Sequence, residues 1–495
     1  MAEPPKAPAH VGEPEGAALL ESLGYRQELK RSVNILGNLA LVISDITPTA
    51  SLLIIGSVVV ATAGTGSVWA YLIGSFVAVN VALCMGELGS MFPVAGGLFS
   101  IVTRVLGKPI GFLAMLDYIG QAIFLPASVA IGIGVYINSL YPSVKSSIAA
   151  GIAMIVVTAI CLLQIRFNAV LTGFFLALEM LVIIVLTFVG FAHLNQPVSI
   201  LTHPVVASGT NGLSAVGLGV IFTAVATAMF SVNGYDSAIN FSEETEGSAA
   251  VVGRAVVIAA ITCIIAELIP FIAVVFAAKS TRGFVHSSTP LTDVVRAYYG
   301  SGLVTAITWG AIIAFFNASI AITLQFARIT WASGRDNAWP GPINRWLGKV
   351  EPRRGAPWVA TLVVGALAAV LCFQSSLISV VTFTAVLLIV LYALIAISAL
   401  VSRVTQRHLP RPSRMRLWPI PPLIALAGVG IALTQQKGRD LLIVAAIFAF
   451  GLIYYYGFIR PRQDRYWNMD TNPERELARL AQHPQEGSLR GEPSS

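Results

Sequence analysis

Apolar runs of about 20 residues or more, separated by short polar stretches, recur from Asn38 to Ile459. About 20 residues is the length that carries an α-helix across the hydrocarbon core of a bilayer. Twelve such runs stand out, at about 38–62, 68–91, 111–139, 145–163, 168–192, 214–242, 250–278, 303–332, 357–374, 378–401, 420–436 and 440–459. Each predicts a membrane-spanning helix. The connections between them are too short for a soluble domain, so whatever the chain does has to be built within the spans.

Two of the runs are interrupted by polar residues at their centres. Span 1 reads NLALVISDITPTASLLIIGSVVV, with Asp45, Thr47, Pro48, Thr49 and Ser51 in its middle. Pro48 has no N–H and clashes with the preceding turn, which predicts a break near Asp45–Ala50. Span 6 carries Asn233-Gly234-Tyr235-Asp236 after the apolar stretch VGLGVIFTAVATA. Gly is unfavourable in a helix interior, and an ionisable side chain at membrane depth is expensive and usually functional, so a second break is expected at about Ser231–Asp236. Spans 1 and 6 open two five-span halves, each inverted relative to the other because it crosses the membrane an odd number of times. Interrupted helices at matching positions of inverted halves point to a transporter's binding site. There a half-helix N-terminus offers free N–H groups to an anion, while unwound carbonyls meet a cation. The plain alternative is a pair of ordinary kinks, since Pro and Gly are common in membrane helices.

Composition agrees with a membrane protein. The 495 residues are 56% hydrophobic and 11% charged, against roughly 25% charged in soluble domains. Lys and Arg are unevenly shared. With the N-terminus inside, the inward loops hold Arg104, Lys108, Arg166, Arg254, Arg335, Arg345, Lys349, Arg353, Arg354, Arg403, Arg407, Arg411, Arg414 and Arg416. The outward loops hold only Lys145, Lys279, Arg282, Arg296, Lys437 and Arg439. This places both termini in the cytoplasm. The net charge of +7 is then accounted for by loops facing anionic lipid, with no call for nucleic acid. Cys84, Cys161, Cys263 and Cys372 all fall within spans, as packing residues without a disulfide or metal pattern. The start, MAEPPKAPAHVGEPEG, lacks the basic-then-apolar layout of a cleaved signal peptide. Residues 1–33 and 463–495 are expected to be disordered cytoplasmic tails, 34–402 the transport core, and 403–462 a pair of added helices. No nucleophile–base pair or metal-ligand spacing suggests an enzyme or a cofactor.

Three motifs resemble the amino acid–polyamine–organocation superfamily of permeases. Phe230-Ser-Val-Asn-Gly-Tyr-Asp236, followed by Glu243-Glu244 and Gly253-Arg254-Ala255, is similar to that family's sixth helix. Gly86-Glu87-Leu88, Met91-Phe92-Pro93 and Gly96-Gly97-Leu98 resemble the end of its second. Phe316-Asn317-Ala318, Ala327-Arg328 and Gly334-Arg335-Asp336-Asn337-Ala338-Trp339-Pro340 resemble its eighth and the loop beyond. The resemblance implies an all-α integral membrane protein with a LeuT-like five-plus-five inverted repeat, discontinuous helices 1 and 6, and twelve spans here. One departure is visible: the family's Gly-[Ser/Thr]-Gly break in helix 1 is Thr47-Pro48-Thr49 in this chain.

The expected substrate site comprises Ser44, Asp45, Ile46, Thr47, Thr49, Ala50 and Ser51 of the first break, with Phe230, Asn233, Gly234, Tyr235 and Asp236 of the second. An ammonium would meet carbonyls around Ser44–Ile46, and Asp45; a carboxylate would meet N–H groups of Thr49–Ser51. Phe230 matches an aromatic that covers substrate in relatives and can hold a cation on its face. Asp236 aligns with a position used for proton or substrate sensing in some members. Glu179 falls near a lysine that couples protons in several relatives. Glu267, three residues before Pro270, is expected to satisfy carbonyls freed by that proline. Buried charge must be paired or neutralised. Asp45, Glu179, Asp236 and Glu267 lie in spans without a deep lysine, which points to an amine-bearing solute moved with protons. The expectation is a proton-coupled permease of the plasma membrane for an amino acid or related amine, working by alternating access. Sodium coupling, obligatory exchange of a polyamine or choline-like solute, and a non-transporting amine sensor stay open.

Overall fold

The computed structural model describes residues 42–43, 46–93, 96–163, 165–242, 249–351 and 356–467, with backbone alone for 165–172 and 249. The tail expected at 1–33 lies outside these residues. Helices coincide with every expected apolar run. The first, α1 (48–63), is an α turn Pro48–Ala50, a π-helical segment Ser51–Ile55 and an α-helix Gly56–Ala63 in direct succession. There follow α2 (Ser67–Met91), α3 (Gly97–Leu106), α4 (Lys108–Leu140), α5 (Ser146–Cys161) and α6 (Ile165–Ala192). Then come the strands β1 (Val205–Ser208) and β2 (Gly212–Ala215), helix α7 (Leu218–Ser231) and the single turn α8 (Ser237–Asn240). The remainder is α9 (Ala249–Ala277), α10 (Pro290–Arg335), α11 (Trp358–Gln374), α12 (Leu377–Thr405), α13 (Ile420–Thr434) and α14 (Gly438–Tyr454).

Among the described residues, seven helical segments are long and apolar enough to cross a membrane, and five apolar helices are shorter. The seven include 48–91 as a single segment, because only the tight turn Gly64–Gly66 separates α1 from α2. The 46-residue α10 is in fact two helices, since Gly300 breaks it with φ 72°. The chain is therefore a multi-pass membrane protein. Its exposed side chains agree, with Phe174, Ile184, Phe188, Ile258, Val370 and Phe450 all open on helix exteriors where a soluble protein would place charge.

Two groups of helices pack internally. One is α1, α2, α7 and α9; the other is α4, α5, α10 and α11. The first is bridged to the second by α6, which lies against α9 and α10, and by α12, which lies against α2, α4 and α7. Small residues allow this closeness. A Cβ on Gly253 would come within 2.4 Å of the Gly86 carbonyl oxygen, so α2 and α9 cross backbone to backbone.

Two expectations are corrected. The protein is not purely α: β1 and β2 form an antiparallel hairpin with Val205 opposite Ala215. Its sequence, VVASGTNGLSA, has turn residues Gly209–Gly212 between apolar flanks, and it sits over the α1–α2 turn, where Val205 N–H donates to Thr65 Oγ1 at 2.9 Å. The C-terminal tail expected from 463 is also ordered at its start. Trp467 is fully buried, edge-on to Phe112 at 5.4 Å, and its backbone N–H donates to the Asn337 carbonyl at 3.0 Å. A large aromatic beside an apolar surface gains more by docking than by staying in water.

Candidate substrate cavity between two broken helices

The break ahead of α1 is compact. Thr47 adopts the left-handed conformation (φ 51°, ψ 61°), and Pro48 starts the next helix as its first residue. That is where proline is best tolerated, because its missing N–H would have no partner there in any case. Thr47 N–H still reaches the Ile43 carbonyl at 3.1 Å, and Ser51 N–H reaches Thr47 O at 2.9 Å. The π-helical segment that follows adds one residue to the turn, a distortion often found at functional sites.

At the second break α7 ends at Ser231, and Gly234 turns the chain at φ 111°, a conformation that favours glycine. Helical structure resumes at Ser237, whose N–H donates to Gly234 O at 3.0 Å. The two breaks face each other. Ile46, Thr47, Ser51 and Ile55 from the first and Phe230, Asn233 and Gly234 from the second line one cavity with Leu125, Val129 and Ile322. It holds about 280 Å³ of space free of atoms, counting its open mouth. Its polar lining is Thr47, Ser51 and Asn233, and the rest is aliphatic or aromatic apart from Gly234.

Other expected site residues sit behind this wall. Ser44 and Asp45 lie outside the described residues, as do Glu243 and Glu244. Thr49 and Ala50 are buried and do not line the cavity. Thr49 N–H donates to Glu179 Oε1 at 2.9 Å, and its hydroxyl donates to the Glu179 carbonyl at 3.0 Å. The N–H groups of Thr49 and Ser51, expected to be free for a substrate carboxylate, are therefore in use. The cause is local: Pro48 begins a helical turn at once, which satisfies Ser51, and Glu179 caps Thr49. Asn317, on α10, approaches the same Glu179 carboxyl.

Tyr235 and Asp236 also point away from the cavity. The Tyr235 hydroxyl donates to Ala78 O at 3.4 Å. Asp236 Oδ2 accepts from the Tyr118 hydroxyl and from Gln325 Nε2 at 3.3 Å, while Asn240 Nδ2 donates to the Tyr118 oxygen at 2.8 Å. This joins α8 to α4 and α10. Asn233 lines the cavity, but its Oδ1 accepts from Tyr392 of α12 at 2.6 Å.

Asp117 and three cavity residues join those expected from the sequence. Asp117, buried in α4 with Gln121 Nε2 donating to it at 3.0 Å, was legible as a charge in an apolar span. Leu125, Val129 and Ile322 carried no signal, being ordinary apolar residues whose orientation only packing decides.

At the other end of α2, Glu87 is buried between two arginines. Arg403 Nε donates to its Oε1 at 2.7 Å and Arg411 Nη1 to the same oxygen at 2.7 Å, while Met415 N–H reaches Oε2 at 2.7 Å. Loss of water pulls the Arg411 guanidinium below its ordinary pKa, and the Glu87 charge opposes that fall. The cluster pins the end of α2 to α12 and the 406–419 loop.

Two broken helices around one cavity, within a body of apolar helices, are the marks of a membrane transporter. The family described as amino acid permease matches residues 34–459, and the chain belongs to it, within the amino acid–polyamine–organocation superfamily. The chain is 25% identical over 394 residues to an uncharacterized transporter of Mycobacterium tuberculosis, covering 79% of this chain and 83% of the relative. A branched-chain amino acid permease of Bacillus subtilis is 21% identical, with 89% of this chain and 96% of the relative covered. A vacuolar cationic amino acid transporter of Arabidopsis thaliana is 24% identical, with coverage of 80% and 67%.

Proposed function

We propose that this protein is a proton-driven secondary transporter for an amino acid with an apolar side chain, working by alternating access across the plasma membrane. In this reading it has twelve spans, a five-plus-five inverted repeat and both termini in the cytoplasm. The observation that carries the proposal is the cavity itself, which both breaks line and whose remaining wall is Leu125, Val129 and Ile322.

A basic side chain or a second ammonium would have to be desolvated against those residues without a counter-charge, which is costly. An aliphatic side chain gains about 25 cal/mol for each Å² it buries there. The α-ammonium would lie toward the carbonyl end of the first break, near Ile46, with the Phe230 ring beside it. The names of the relatives include both branched-chain and cationic amino acid transporters; the aliphatic wall supports the first. Glu179 and Asp236 are the coupling groups of this proposal. Each is buried and joins helices of different groups, so gain or loss of its proton would favour one arrangement over the other.

The test is uptake into proteoliposomes under an imposed proton gradient, with leucine, isoleucine and valine set against lysine, arginine and putrescine. Accumulation of the aliphatic amino acids that collapses with the gradient is expected. Uptake of the basic solutes alone, or accumulation that follows external Na⁺ instead of protons, would overturn the proposal.

A further inference from the structure

A carboxylate entering the cavity needs N–H or O–H donors. None of the described residues lining it is basic, and an ion desolvated without partners is costly. The first break has few donors to give. Thr47 N–H is bonded to the Ile43 carbonyl, Ser51 N–H to the Thr47 carbonyl, and Thr49 N–H to Glu179. The Ser51 hydroxyl donates to the Ile46 carbonyl at 3.0 Å, so it turns only lone pairs to a ligand. The Thr47 hydroxyl can accept as readily as it donates.

At the second break the balance is the opposite. The Ser231 hydroxyl donates to Glu267 of α9 at 2.7 Å, an acid that was expected to serve the carbonyls freed by Pro270. Asn233 is the informative residue. Its Oδ1 accepts from the Tyr392 hydroxyl at 2.6 Å, and Tyr392 is fully buried in α12 and does not line the cavity. The acceptor arm of the amide is therefore turned toward α12. The other arm, Nδ2, carries two N–H groups and has no partner among the described residues. A buried phenol left without an acceptor costs free energy, so Tyr392 holds the amide this way round. The N–H of Gly234, the next residue along the cavity wall, is also without a partner among the described residues.

We propose that Asn233 Nδ2 is the donor that binds the substrate's carboxylate, and that Tyr392 is the positioning residue that aims it. This deepens the amino acid reading above and rests on it. The cavity then has a direction. The Ile46 carbonyl and the Ser51 lone pairs at the first break take the ammonium, and Asn233 and Gly234 at the second take the carboxylate. The expected roles of the Thr49–Ser51 N–H groups pass to the other broken helix, because Pro48 and Glu179 have already used them.

Equilibrium binding to the purified full chain tests this with leucine and isoamylamine, which is leucine without its carboxylate. Leucine should bind the unmodified protein about tenfold tighter than the amine, since a hydrogen bond to a charged group is worth that much or more. Asn233→Ala should abolish most of this preference by weakening leucine and leaving isoamylamine unchanged. Tyr392→Phe, which frees the amide to turn, should reduce the preference in the same direction by a smaller factor. Asn233→Asp, of equal size, should lose leucine and keep the amine. A residue that merely holds the fold would weaken both ligands alike; that result, or an unaltered preference in Asn233→Ala, would overturn the proposal. Tighter leucine in Asn233→Asp would overturn it too, by placing the ammonium there. Should Asn233→Ala not fold, an unaltered preference in Tyr392→Phe would overturn it equally. If lysine binds and leucine does not, the same comparison is made between lysine and cadaverine. Loss of that preference in Asn233→Ala would uphold the carboxylate site and overturn the apolar substrate reading. Amines that bind with no gain from a carboxylate would overturn both.

Discussion

The difference between a charge that holds the structure and one that decorates it is visible at two ion pairs. Glu87 has a side chain 1% exposed and serves two arginines and a backbone N–H, while Arg296 and Asp293 pair in solvent at 55% and 38% exposure. Removing one partner of a buried pair leaves uncompensated charge and costs about 3–5 kcal/mol, whereas an exposed pair contributes about 0–1 kcal/mol. Glu87→Gln is therefore expected to lower the thermal midpoint in detergent sharply, and Arg296→Gln to leave it nearly unmoved. The comparison also bears on gating, since Glu87 joins α2 of one helix group to α12, which bridges to the other.

For a broken helix, the decisive quantity is the backbone conformation at the break. Gly234 sits at φ 111°, which an L side chain rarely adopts. Holding a residue in such a region costs roughly 1–3 kcal/mol. Gly234→Ala should lower stability by about that amount and weaken uptake of the amino acid substrate, because the turn carries Asn233 into the cavity. Gly430 offers the control. It lies in α13, helical and with nothing within 4 Å of a built Cβ, so Gly430→Ala should be neutral or slightly stabilising in the same thermal assay. The first break needs no glycine: Thr47 takes the left-handed position, and Pro48 behind it is already suited to a helix start.

For the molecule as a whole, the distribution of Lys and Arg predicts which surface faces the cytoplasm. The exposed hairpin tip at Asn211 and the exposed Arg407 on the 406–419 side are the two markers to compare. All four native cysteines are buried, so background labelling will be low. Asn211→Cys should react with a membrane-impermeant maleimide in intact cells and Arg407→Cys only after the membrane is opened. The reverse pattern would invert the orientation proposed here.

The sequence alone determined that this chain lives in a bilayer, where its helices run, and where two of them break. Those features depend on local chemistry: about 20 apolar residues span a membrane wherever they occur, and proline or glycine among polar residues disrupts a helix whatever surrounds it. The tertiary structure alone decided which side chains share the cavity and which stand behind it. Leu125, Val129 and Ile322 are indistinguishable from other apolar residues until α4 and α10 pack against the breaks. Glu179 caps Thr49, and Glu267 reaches Ser231, across separations of 130 and 36 residues. No local pattern records such a meeting, because it is fixed by the angle and rotation at which whole helices pack.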